Sequence, residues 1–207
     1  MTAATLAPGL WGVLATPFHG PHLEVDLESL WREVDLYTGV PADGLVVLGV
    51  FGDGAALDMS ELAAVVAAVA RRSPGMPLVV GVSARTTAVA VEQAHTAVAA
   101  AGSTLAAVMV QANSSDVGVL AAHLRAVHDA TGVGIVLQDY PAASGIRITP
   151  AAVVDVLHQC PFVVAVKSEA PPTAVAIGAI TAATGVPVFG GLGGVGLLDE
   201  LAAGAAG

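Results

Sequence analysis

The sequence predicts an α/β fold of the TIM type: a (β/α)8 barrel with about seven βα units present and the eighth missing, formed by residues 1–207 as a single domain. Three observations carry this expectation. Short Val/Leu/Ile-rich runs recur along the chain, each continuous rather than alternating, as for parallel strands covered on both faces. Each run is followed by a glycine or polar turn and then an alanine-rich helical stretch. Successive runs lie about 25 to 35 residues apart, the size of one βα unit, with no Pro/Ser linker or shift of composition between them.

The expected strands are residues 12–15, 44–48, 78–82, 105–110, 134–137, 162–166 and 186–189. The helices between them carry start and stop signals. Asp26 precedes the apolar positions Leu27, Leu30, Trp31 and Val34, and Asp58 and Ser60 precede the run ending at Arg71 and Arg72. Thr86 opens a helix closed by Gly102, and Asp116 opens one closed by Gly132. Thr149 and Pro150 start the next, since proline is favourable at a first helical position. Pro172 and Thr173 open a helix closed by Gly185, and a short one is expected from Leu197 to Ala203. A barrel of this kind runs to about 250 residues, so Gly207 falls where an eighth strand would begin. Without that strand, the edges of strands one and seven are expected to be left unpaired.

Apolar residues make up 55% of the chain and charged residues 12%. That balance suits a well-buried α/β core with subunit contacts, hence a homo-oligomer. The formal net charge of −10 and the scattering of six arginines and one lysine argue against nucleic acid, because phosphate neutralisation needs clustered cations. A single cysteine, Cys160, excludes an internal disulfide and fits a reducing, cytoplasmic setting; before an apolar strand it reads as a small buried hydrophobe. The N-terminal stretch lacks the pattern of a signal peptide. Residues 170–198 contain no charge, but Gly185, Pro187 and the glycines from 190 onward break them into helix, strand and loop rather than a membrane span.

Lys167, the only lysine, ends the apolar run Phe162–Val166. The C-terminal ends of barrel strands carry the active site, and strand alternation places Val163, Ala165 and Lys167 on one face. Desolvation there disfavours the ammonium and frees an amine for attack on a carbonyl; the alternative is a lysine reaching out to solvent from a strand end. Tyr140 follows strand five, with Gln138 two residues before it; its phenol can move protons, or it simply packs at the strand end. The loop Gly49-Val50-Phe51-Gly52-Asp53-Gly54 follows strand two, where glycines let backbone N–H groups approach an anion, or merely make a turn. The stretch from Gly191 to Gly196 matches G-x-G-x-x-G, yet no acidic residue follows at the required distance, so it reads as a loop at the barrel mouth. The six histidines form no ligand set, and no metal or organic cofactor is expected.

In order along the chain, these segments resemble the dihydrodipicolinate synthase and N-acetylneuraminate lyase family. Ala15-Thr16-Pro17-Phe18 is similar to its first-strand signature. Gly49 to Asp53, followed by Leu57 and Glu61, stands where the family has a Gly-Thr-Thr-Gly-Glu loop. Leu137-Gln138-Asp139-Tyr140-Pro141 with Gly145 resembles the Tyr-Asn-x-Pro…Gly segment, and Val164 to Lys167 the segment bearing the Schiff-base lysine. Gly190 and Gly191 fall at the strand-seven loop, and Leu201 to Gly207 resembles the approach to strand eight.

The resemblance implies a class I aldolase or lyase in which Lys167 forms an imine with pyruvate or a related small 2-oxo acid. It implies that the Gly52 and Asp53 amides hold the carboxylate, that Tyr140 carries protons, and that Gly49, Val50, Phe51, Gln138, Gly190 and Gly191 line the substrate. Several positions depart from the family pattern. Val50 and Phe51 replace two threonines, Gln138 stands in place of the catalytic tyrosine, and Asn113 and Ser114 replace a tyrosine pair. Ala143 replaces the arginine that binds a second substrate carboxylate. These departures argue against dihydrodipicolinate synthesis and place the chain, with its Lys-Ser-Glu-Ala-Pro-Pro-Thr segment, in a divergent subgroup. The rival expectation is a catalytically inactive barrel remnant or a binding protein. A nucleotide-binding α/β protein is a third, resting on the glycine loop alone.

Overall fold

A computed structural model describes residues 6–207; the first five residues of the stretch read for a leader lie outside the described residues. The elements in chain order are β1 (Trp11–Val13), β2 (Phe18–His19), β3 (Glu24–Val25), α1 (Leu27–Thr38), β4 (Gly44–Val47), α2 (Met59–Arg72), β5 (Leu78–Val82) and α3 (Thr87–Ala101). Then follow β6 (Leu105–Gln111), α4 (Val117–Thr131), β7 (Ile135–Asp139), α5 (Pro141–Ser144), α6 (Pro150–Gln159), β8 (Val163–Ser168), α7 (Thr173–Ala183), β9 (Val188–Phe189) and α8 (Leu197–Ala202). Seven strands form one sheet in the order β1-β4-β5-β6-β7-β8-β9, every neighbouring pair parallel. The hairpin of β2 and β3 was not expected from sequence, because each strand is only two residues long and leaves no apolar run.

The helices start where capping chemistry allows. Asp26 accepts a hydrogen bond from the Ser29 N–H at the head of α1. Asp58 and Glu61 form a reciprocal capping box on α2, each carboxylate accepting the other's backbone N–H. Gly132 ends α4 in the left-handed region at φ 70, which a side chain would disfavour.

The sheet is curled, as its two buried layers reveal. Outward-facing strand residues such as Leu45, Val47, Val80, Val108, Leu137 and Val166 share one cluster with helix residues including Leu30, Leu62, Leu124 and Ile177. The alternate residues Val46, Val79, Met109, Val136, Ala165 and Phe189 make a second cluster with no helix residue in it. Strand side chains therefore meet one another across a concave inner face.

Two expectations need correction. The β7–β8 register shifts by one between Ile135 and Val136, so that Val163 opposes Ile135 while Ala165 opposes Val136. This bulge turns Val163 into the outer cluster and leaves Ala165 and Lys167 on the inner face, so the three do not share a face. The edges of β1 and β9 are also not simply bare. The Ala206 N–H donates to the Val188 carbonyl, the Gly190 N–H to the Gly207 carbonyl, and the Gly9 N–H to the Ala206 carbonyl. Residues 205–207 thus bridge β9 to the approach of β1. Among the described residues no helix is long and apolar enough to cross a membrane, and the uncharged stretch 170–198 is divided among α7, β9, a glycine loop and the start of α8.

Candidate active site

The C-terminal ends of β6, β7, β8 and β9 bring Gln111, Gln138, Lys167 and Phe189 into one register row across four strands. Lys167 projects to the inner side, and its side chain is 14% exposed, so it does not reach out to bulk water. Its Nζ lies 3.5 Å from Oε1 of Glu169, whose side chain is 5% exposed. The other oxygen of Glu169, Oε2, accepts a 2.6 Å hydrogen bond from the Gln138 amide. Lysine, glutamate and glutamine thus form a continuous polar chain at the mouth of the sheet.

Glu169 is the residue that sequence reasoning missed. A signal was present: residues two apart in extended backbone face the same way, and Glu169 is two beyond Lys167. Its link to Gln138, 31 residues earlier, depends on strand pairing. Burial pushes its carboxyl above the usual carboxylate range, opposed by the Lys167 charge and the Gln138 hydrogen bond. Gly191 leaves room for this carboxylate: a Cβ there would stand 2.5 Å from the Glu169 Cδ. Gly190 does the same for the buried Glu200, which accepts a hydrogen bond from Thr173.

The loop after β4 is held rigidly. Leu48 and Asp53 adopt positive φ, and Gly52 packs so closely on Leu48 and Leu14 that a Cβ would stand 2.9 Å from the Leu48 nitrogen. Thr16 ties the loop to the exit of β1 by donating to the Gly52 carbonyl at 2.6 Å. The Gly52 and Asp53 amides, expected to hold a carboxylate, donate instead to the carbonyls of Gly49 and Val50 within the loop. The Val50 and Phe51 amides have no acceptor among the described residues. The side chains of Phe51, 68% exposed, and Asp53 face solvent.

Tyr140 is half-buried at the head of α5, where its carbonyl receives the N–H groups of Ala143 and Ser144. Its hydroxyl has no hydrogen-bond partner among the described residues, so nothing ties it to Lys167. Cys160 is buried, as expected of a small hydrophobe. His123 and His128 serve separate roles, one bonded to Thr87 and the other to the Val133 carbonyl while stacked on Phe162. A surface hollow of about 600 Å³ lies at the opposite end of the sheet beside Asp43, Arg72 and Pro77, and plays no part in the lysine site.

Fold and site define the class: a curled parallel α/β sheet of the barrel type, with a half-buried lysine on its inner face at the C-terminal end of a strand. The chain belongs to the Dihydrodipicolinate synthetase family, whose sequence profile matches residues 7–207. It is 36% identical over 156 residues to a 4-hydroxy-tetrahydrodipicolinate synthase 1 of Streptomyces coelicolor, covering 74% of this chain and 50% of that protein. It is 31% identical over 160 residues to a 4-hydroxy-tetrahydrodipicolinate synthase of Ruegeria pomeroyi, covering 77% and 54%. The crystal structure of dihydrodipicolinate synthase from Rhodopseudomonas palustris superposes with a TM-score of 0.87 at 27% identity, over 100% of this chain and 71% of that one. The chain spans about half the length of the relatives it matches.

Proposed function

We propose that the protein is a Schiff-base-forming class I aldolase or lyase acting on pyruvate or a related 2-oxo acid, with Lys167 as the nucleophile. The observation that carries this reading is the only lysine of the sequence, half-buried on the inner face at the C-terminal end of β8. The neutral amine adds to the C2 ketone to give a carbinolamine. Loss of water leaves an iminium, whose positive nitrogen draws electrons from the adjacent C3 when a bond there is made or broken. The substrate carboxylate is set against the Gly49–Asp53 loop, where the Gly49, Val50 and Phe51 amides have no acceptor among the described residues. Gln138, Gly190 and Gly191 frame the other side.

In this reading the complete fold is a (β/α)8 barrel, with the path through residues 205–207 as the start of its eighth strand. The hydrogen bonds of Ala206 and Gly207 to Val188, Gly190 and Gly9 support that placement. The protein is expected to act as a homo-oligomer in the cytoplasm.

Borohydride reduction with pyruvate present tests the function. Mass mapping should find the adduct at Lys167, with the α-amine of the sequence as the only competing amine. A folded sample that yields no adduct with any small 2-oxo acid would overturn the assignment.

A further inference from the structure

We infer that Glu169, held in place by Gln138, is the catalytic group that moves protons at Lys167. This rests on the reading of Lys167 as the imine-forming residue, and it extends that reading to the residue that the imine chemistry requires beside it.

Three observations converge on Glu169. Among the described residues its carboxylate is the one acid paired with the lysine, 3.5 Å from Nζ, and it is almost wholly buried. The 2.6 Å hydrogen bond from Gln138 occupies only Oε2, leaving Oε1 turned to the amine. Gly191 lies against it with no side chain, so the loop after β9 closes over the carboxylate without displacing it. The other candidates are less well placed. The Tyr140 hydroxyl has no described partner, and Gln138 cannot exchange a proton as an acid or base does.

The proton inventory closes. An ammonium facing a carboxylate and an amine facing a carboxylic acid hold the same number of protons, so transfer across the Lys167–Glu169 contact frees the nucleophile without exchange with solvent. Burial raises the proton affinity of Glu169 and so eases proton transfer to it from the neighbouring ammonium. The amine adds to the C2 carbonyl, and a proton passes from nitrogen to oxygen to give the carbinolamine. Protonated Glu169 then gives its proton to the departing hydroxyl. The C–O bond breaks, water leaves, and the nitrogen lone pair forms the C=N bond of the iminium. The carboxylate so produced takes a proton from C3. The C–H electrons become the C2=C3 bond of the enamine, the C=N electrons return to nitrogen, and Glu169 is again protonated. C3 is two bonds from Nζ, within the neighbourhood that the ion-pair contact defines.

Exchange of the pyruvate methyl protons with D2O, followed by NMR, tests this in the full chain alongside borohydride trapping. The wild-type protein should trap pyruvate and exchange its C3 protons. Glu169→Gln keeps the shape and the Gln138 side of the site; exchange should fall at least ~100-fold, the scale of general acid–base catalysis, while a trapped adduct still accumulates. Gly191→Ala provides a second arm, because its methyl pushes the carboxylate aside without removing it; exchange should fall there too. Exchange at the wild-type rate in either folded variant overturns the role of Glu169 and leaves the lysine assignment standing. Failure of the wild-type protein to trap any 2-oxo acid overturns both.

Discussion

Asp139 and Ser168 are register partners on β7 and β8, one residue beyond Gln138 and Lys167 and on the opposite face of the sheet. Both are buried, and neither the Asp139 Oδ1 nor the Ser168 Oγ has a hydrogen-bond partner among the described residues. Burial, reinforced by the Glu169 charge, pushes the Asp139 carboxyl up to about 6. A raised carboxyl means that the native state holds its proton more tightly than the unfolded chain, so the ionised form is a stability cost at neutral pH.

That cost is absent below about pH 4, where both states are protonated, grows between about 4 and 6 as only the unfolded chain ionises, and is level above that. Asp139→Asn, neutral at every pH, should therefore stabilise the protein at pH 7.5 by up to about 3 kcal/mol and by progressively less towards pH 4. Urea unfolding of the two proteins across that range measures the difference directly. An Asn variant less stable than wild type at pH 7.5 would show that the ionised carboxylate has a partner of its own.

Replacing the lysine should expose the coupling to Glu169. Lys167→Met leaves a buried carboxylate without its cation, a loss on the order of 3 kcal/mol above neutral pH. The loss should shrink as pH falls, because Glu169 then takes up a proton. Adding Glu169→Gln to the Met variant should restore part of the stability, and a double-mutant cycle reads the interaction. Additive effects would mean that the two side chains do not communicate.

Dihydrodipicolinate synthesis should be weak. Ala143 carries no charge for a second carboxylate, and a charge-assisted contact of that kind contributes about 1.5–3 kcal/mol, or roughly 10–150-fold in binding. Turnover of pyruvate with aspartate semialdehyde should fall well below turnover with the natural acceptor. Efficient synthesis would show that another group has taken over the arginine's role.

The bridge from β9 to β1 should matter for stability. Removing residues 205–207 deletes four backbone hydrogen bonds, three of them the bridge itself, and bares two parallel edges. With each stranded polar group costing about 1–3 kcal/mol if buried, the shortened chain should melt lower and self-associate more readily. Gly207→Ala is a finer probe, because its Cβ would collide with the Gly9 carbonyl. An unchanged melting temperature for both would mean that the bridge contributes nothing.

The parallel strands were legible because burial on both faces writes itself as continuous apolar residues. Leu78–Val82 was read to the residue, and Asp58, Gly102 and Gly132 marked helix ends by capping chemistry. The bulge opposite Ile135 was not legible, since one extra valine in a valine-rich strand leaves no mark on the pattern. For the site, the solitary lysine drew attention by its rarity, whereas Glu169 acquires meaning only once β7 and β8 are paired. The internal bonds of the Gly52 and Asp53 amides were hidden for a similar reason. A glycine-rich loop advertises available N–H groups, but which of them the loop uses on its own carbonyls is settled by its fold.

A single, half-buried lysine also changes what a chemist can do with these residues. Acylating esters, aldehydes and isothiocyanates that would decorate an ordinary protein in many places find here one internal amine, Lys167, besides the α-amine of the sequence. Labelling kinetics at that position become a direct gauge of how open the mouth of the sheet is, and protection by an added ligand reports occupancy without an assay for turnover. The same scarcity narrows biology's options: any modification written on lysine side chains of these residues would have to be written on Lys167 itself.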